Sequence, residues 1–120
     1  MPTPRLMLLG LASAGAVMSS PVQAAPCAVT VEFASHCCGI DSAAYKDLMA
    51  FLSASDLVVS HESKAWGREG EQTICVVTGT RAAADTLLGQ LKARLPAKPA
   101  RGSIKVTGGD ANFPEDTPRG

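Results

Sequence analysis

The chain has 120 residues, with 11 basic and 11 acidic side chains, four cysteines and only five aromatic residues. A balanced charge supplies no clustered positive excess, which argues against a nucleic-acid partner or an anionic membrane surface. The length allows one small domain with a thin core.

Met1 to Arg5 is a short basic start, and Leu6 to Val17 is an unbroken run of apolar and small residues. That run falls well short of the roughly 20 residues needed to span a bilayer. Val22-x-Ala24 then sets small residues at the −3 and −1 positions of a signal-peptidase site. These three parts in this order are the grammar of a secretory signal, so residues 1–24 are expected to be a cleaved leader. Cleavage after Ala24 leaves 96 residues with ten basic and eleven acidic groups, a net charge of −1. The mature protein is expected to be soluble, periplasmic or secreted, with no stable membrane insertion once the signal is gone. Pro26 before Cys27 fits poorly with a lipid-modified cysteine. All four cysteines lie in the mature part, an even number suited to an oxidising compartment.

Cys27 to Ser35 alternates, with Val29, Val31 and Phe33 on one face and Thr30 and Glu32 on the other, as in a half-buried strand. His36-Cys37-Cys38-Gly39-Ile40 breaks that pattern. Tyr45, Leu48, Met49 and Leu52 then fall on one stripe of an amphipathic helix over Ser42 to Ser55, with Asp41 placed to cap it. Leu57 to Trp66 and Gln72 to Thr78 read as strands, joined through the polar loop Gly67-Arg68-Glu69-Gly70 as a hairpin. If that loop is four residues long, Trp66 faces Glu71, His61 faces Val76, and Cys75 lies beside Glu62 on the open face. By alternation alone His61 shares a face with Leu57 and Val59. Thr80 caps a second helix, Arg81 to Leu95, whose stripe is Ala84, Leu87, Leu88, Leu91 and Leu95, and Pro96 ends it. Ser103 to Thr107 is a last short strand with Ile104 and Val106 inward. Gly, Pro and acidic residues dominate afterwards, so residues 25–108 are expected to form a single small α+β domain and 109–120 a flexible tail.

The order β-α-β-β-α-β is the ferredoxin-like arrangement. It predicts a four-stranded antiparallel sheet in the order 4-1-3-2 with both helices on one face. That fold hosts unrelated activities and does not supply a function.

Topology bears on the cysteines. An extended segment 28–35 sets Cys27 roughly 30 Å from Cys37, against the ~7 Å limit between Cα atoms for a disulfide. Four cysteines allow three complete pairings, and two of these contain the disfavoured bridge. The remaining one joins Cys27 to Cys75, through a modest shift of strand register, and Cys37 to Cys38 in a vicinal bond. A single bridge from Cys75 to Cys37 or Cys38, with thiols left over, is the other arrangement. The Cys27–Cys75 clamp is preferred, because a small domain gains most from a long-range staple.

His36, Cys37 and Cys38 are the one unusual cluster, and adjacent thiolates beside an imidazole suit soft metal ions such as Cu(I), Zn or Hg. The position of this loop resembles the metal loop of heavy-metal-associated domains of the same fold, which implies metal binding there. This chain has Cys-Cys where those domains have C-x-x-C, and it lacks their preceding G-M-T. The absence of C-x-x-C also argues against a thiol oxidoreductase. No G-x-S-x-G, H-E-x-x-H, S-x-x-K or glycine-rich phosphate loop is present, so no catalytic residue is assigned.

Lys92, Arg94, Lys98, Arg101 and Lys105 form an acid-free basic stretch. It has no interleaved aromatic residues and reads as a solvated helix end with its following loop. Trp66, the only tryptophan, and Arg68 at the hairpin rim are candidates for contact with a partner. The reading is a non-enzymatic binding or interaction module, without a resident cofactor, for a protein or small ligand. A periplasmic soft-metal binder using His36, Cys37 and Cys38 is the alternative.

Overall fold

The computed structural model describes residues 26–109 and 111–113. The leader expected over 1–24 and residues 114–120 of the expected tail lie outside the described residues. Six elements follow in chain order: β1 (Val29–Ala34), α1 (Ser42–Ala54), β2 (Val58–Trp66), β3 (Glu71–Thr78), α2 (Arg81–Arg94) and β4 (Ser103–Gly108). The strands form one sheet in the order β2-β3-β1-β4, and every neighbouring pair is antiparallel. This is the α+β, ferredoxin-like order expected from the sequence, read from its other edge.

Alternation in the two central strands separates the faces. Val29, Val31 and Phe33 of β1 and Ile74 and Val76 of β3 are fully buried, in one cluster with Leu48 and Leu52 of α1 and Leu87 and Leu91 of α2. Both helices therefore cover the same face of the sheet. Burying a side chain of this kind contributes roughly 1.5–3 kcal/mol. The uncovered face is polar by comparison, and Glu32 stands directly opposite Lys105 in the β1–β4 register.

The helix ends are set locally. The Asp41 carboxylate accepts from the Ala44 N–H at 3.0 Å, and the Thr80 hydroxyl accepts from the Ala83 N–H at 3.1 Å. Each satisfies an amide that the helix itself leaves unpaired. On the surface, Arg94 ties α2 to α1 by a two-point contact with Asp47 at 2.9 and 3.0 Å, and its guanidinium lies 4.7 Å from the Phe51 ring centre.

The hairpin has the four-residue loop and the register anticipated, with Trp66 opposite Glu71, Glu62 opposite Cys75 and His61 opposite Val76. One detail differs. The ladder shifts between Val58 and Ser60, a bulge that leaves Val59 69 % exposed. His61 consequently does not share a face with Val59, because one extra residue reverses the alternation on either side.

The described part of the C-terminal segment leans on the domain. Gly109 and Ala111 donate backbone hydrogen bonds to the carbonyls of Ala28 and Cys27, at 2.9 and 3.2 Å. Phe113 is 7 % exposed, in a small second cluster with Ala28 and Ala84, with the Arg81 guanidinium 5.0 Å from its ring centre.

A candidate binding cleft beside a vicinal disulfide

Because β1 runs towards the loop that carries Cys37 and Cys38, three connections gather at that end of the sheet: β1–α1, the β2–β3 hairpin and α2–β4. Between them lies a cleft of about 660 Å³. Cys38 to Asp41, with Ser42, Tyr45 and Lys46 from the first turns of α1, form one side of it. Glu69, Gly70 and Gln72 of the hairpin and Ala100 and Arg101 of the α2–β4 loop complete it.

A network of hydrogen bonds holds the three connections together. The Ser35 hydroxyl accepts from the Gly39 N–H at 3.0 Å and donates to the Glu69 carboxylate. Arg101 Nη1 donates to the Cys38 carbonyl at 2.8 Å. Asp41 does two things at once, since its second carboxylate oxygen accepts from the Ala100 N–H at 2.9 Å while the first caps α1. The Ala100 amide first, and the Ala44 amide next, hold the Asp41 carboxyl below the usual carboxylate range. Deeper in, the Tyr45 hydroxyl donates to Ser63 at 2.8 Å and Ser63 donates to Gln72 at 2.7 Å. The Tyr45 ring meets Phe33 edge-on, with ring centres 5.4 Å apart. The cleft wall is thereby tied to the core.

All four cysteines are bonded, Cys27 to Cys75 and Cys37 to Cys38. This is the complete pairing that avoids a bridge along the length of β1. The route to Cys75 is a change of register confined to the start of β1. Thr30 stands opposite Cys75 in the β1–β3 ladder, and extending that ladder would put Cys27 opposite Thr78. The Cα atoms of Cys27 and Cys75 are nevertheless 5.2 Å apart. At Ala28, a bend whose side chain is buried with Ala84 and Phe113, the N–H donates to the Val76 carbonyl at 2.7 Å although Val29 already stands opposite Val76, so one extra residue shifts the pairing and brings Cys27 to the side of β3 that carries Cys75.

His36, Cys37 and Cys38 are all exposed in the loop after β1, and of the three only Cys38 lines the cleft. In this oxidised form the two sulfurs are bonded to each other, and among the described residues no group of three or more potential metal ligands gathers. Trp66 is 42 % exposed and its indole N–H donates to Thr73 at 2.9 Å, which turns it towards the open sheet face. Trp66 and Arg68 border the hairpin without lining the cleft. His61 faces the helices beneath Ser53, at 3.4 Å, with its buried Nδ1 unpartnered, and it is far in role from Cys75, which is committed to its disulfide.

The sequence reading missed Tyr45, Lys46, Gln72 and Arg101 as a group. The signal was present in the topology, because a βαββαβ chain brings these three connections to one end of its sheet. Comparison with protein-family models, curated proteins and solved structures finds no match to this chain. Among the described residues no helix is long and apolar enough to cross a membrane.

Proposed function

We propose that this chain is an exported, non-enzymatic binding module, stapled by disulfides, whose ligand site is the cleft between the vicinal cysteine loop, the hairpin and the α2–β4 loop. The observation that carries the reading is the cleft itself. Its volume of about 660 Å³ falls within the range of roughly 300–1,000 Å³ typical of small-ligand sites. It offers Lys46, Glu69, Gln72 and Arg101 for polar contacts beside the apolar surfaces of Ile40 and Tyr45. Such a mixture fits a small polar molecule or a short peptide segment. The Ser35 hydroxyl beside the cleft is bonded to both the Glu69 carboxylate and the Gly39 N–H, and so ties the loops together. The four paired cysteines favour an oxidising compartment and so support export.

Soft-metal binding by His36, Cys37 and Cys38 requires the Cys37–Cys38 bond to open first, since the thiolate is the metal ligand. The binding reading applies to the oxidised form without that step.

The test has two parts. Intact mass before and after alkylation of the unreduced protein counts the disulfides, and uptake of alkyl groups there would overturn the stapled-module reading. Amide NMR of the labelled protein is then followed during titration with a panel of amino acids, small carboxylic acids and acetylated dipeptides. Shifts clustered at Gly39, Ser42, Lys46, Gly70 and Arg101 are expected. Shifts confined to the open face around Glu32, Lys64 and Thr73, or none with any probe, would overturn the cleft as the site.

A further inference from the structure

The two disulfides differ in exposure and in span. Cys37 and Cys38 are exposed, whereas Cys27 and Cys75 are half-buried and Cys75 lies within β3 between two paired strands. Access of the attacking thiolate to sulfur is one of the determinants of exchange rate. The vicinal bond joins adjacent residues, while Cys27–Cys75 spans 48 positions, so opening the first frees only a loop and opening the second removes a long-range cross-link. One member of the vicinal pair also belongs to the wall of the cleft. Cys38 lines it, the Cys38 carbonyl is held by Arg101, and the next amide, Gly39, is held by Ser35, which in turn holds Glu69 of the hairpin.

From this arrangement we infer that Cys37–Cys38 is a thiol–disulfide exchange site for a dithiol reductant, and that its redox state sets the shape of the cleft. A thiolate of the reductant attacks one sulfur of the pair, breaking the Cys37–Cys38 bond and forming a mixed disulfide. The other cysteine leaves as a thiolate. The second thiol of the reductant then attacks the mixed disulfide, so that the reductant departs with its own two sulfurs joined. Two electrons pass from the reductant to the protein, and its two thiol protons end on the sulfurs of Cys37 and Cys38. The guanidinium of Arg101 is bonded to the carbonyl of Cys38, so a positive charge is anchored on one residue of the pair, and a nearby cation favours the thiolate form of a cysteine. Once the ring is open, residues 37 and 38 regain backbone freedom, and the hydrogen bonds from Gly39 and Arg101 lose the geometry that fixed them.

The inference goes beyond the binding reading, and its test contains no cleft ligand, so either can fail alone. The unreduced full chain is treated with graded dithiothreitol, quenched with N-ethylmaleimide, and analysed by intact mass and peptide mapping. The first product is expected to carry two alkyl groups, at Cys37 and Cys38, with Cys27–Cys75 intact. Under those conditions the amide signals of Gly39, Gly70, Ala100 and Arg101 should move while those of Val31 and Ile74 stay. The Cys37→Ser/Cys38→Ser variant should show the same moved signals without reductant. Reduction of Cys27–Cys75 first, alkylation of all four cysteines together, or unmoved cleft signals in both the reduced protein and the serine variant would each overturn the inference.

Discussion

Replacing Cys27 and Cys75 together by alanine isolates the contribution of the long-range clamp. The bond closes a loop with a sequence separation of 48 that contains β1, α1, β2 and the start of β3. In the chain-entropy description, a cross-link of that span removes about 4 kcal/mol of freedom from the unfolded chain. The same expression gives only about 1 kcal/mol for a bond between neighbours such as Cys37 and Cys38. For a domain of this size each kcal/mol moves the melting midpoint by roughly 4–8 °C. The Cys27→Ala/Cys75→Ala variant is therefore expected to melt about 15–30 °C lower, against less than about 10 °C for Cys37→Ala/Cys38→Ala. Far-ultraviolet circular dichroism during heating, and urea titration followed by the single tryptophan, give the two midpoints. The urea slope should also rise in the first variant, because an uncrosslinked unfolded chain exposes more surface. Equal shifts in the two variants, or a larger one for the vicinal pair, would refute the division into staple and exchange site.

Three further perturbations probe the ties around the cleft and the tail. Asp41→Ala removes both the cap of α1 and the link to Ala100, and should cost at least about 1 kcal/mol in urea unfolding. Because the folded carboxyl of Asp41 lies below its usual range, its contribution is complete above about pH 5 and is lost as pH falls through the depressed value. Asp41→Asn should accordingly flatten part of the loss of stability between about pH 5 and pH 3, a change read by melting at a series of pH values. Gly102 adopts φ +64°, and a Cβ there would collide with the Ala34 carbonyl oxygen. Gly102→Ala should thus destabilise by more than about 1 kcal/mol and disturb the amide signals of Ala34 and Ser103. Phe113→Ala should cost roughly 1–3 kcal/mol and speed hydrogen exchange at the Gly109 and Ala111 amides, which bond to Ala28 and Cys27. Unchanged exchange would mean that the segment is held without its aromatic anchor.

What the sequence made legible is what short-range periodicity and short loops determine. The alternation of Val29, Val31 and Phe33, the stripes through Leu48 and Leu87, the caps at Asp41 and Thr80 and the tight hairpin each depend on a few adjacent residues. Together they set the strand order and the pairing of His61 with Val76. The reach of an extended strand then excluded the wrong disulfides, because a distance along β1 needs no side-chain detail. Three features escaped because short-range periodicity does not carry them. The bulge at Val59 is one residue in a Val-Val-Ser-His run whose alternation looks intact. The bend at Ala28 is rewarded by Ala84 and Phe113, more than fifty positions away, and it is this bend that brings Cys27 to Cys75. The cleft likewise depends on Ala100 and Arg101 reaching back to Asp41 and Cys38 across some sixty residues. Phe113 left a trace, a lone large apolar side chain in a stretch of glycine, proline and acid. Such a residue in a polar segment signals a docking point, since leaving it in water would cost the hydrophobic free energy that burial recovers. The clamp and the anchor are consequently one construction. Phe113 packs on Ala28, Ala28 turns the chain, and the turn places Cys27 within bonding distance of β3.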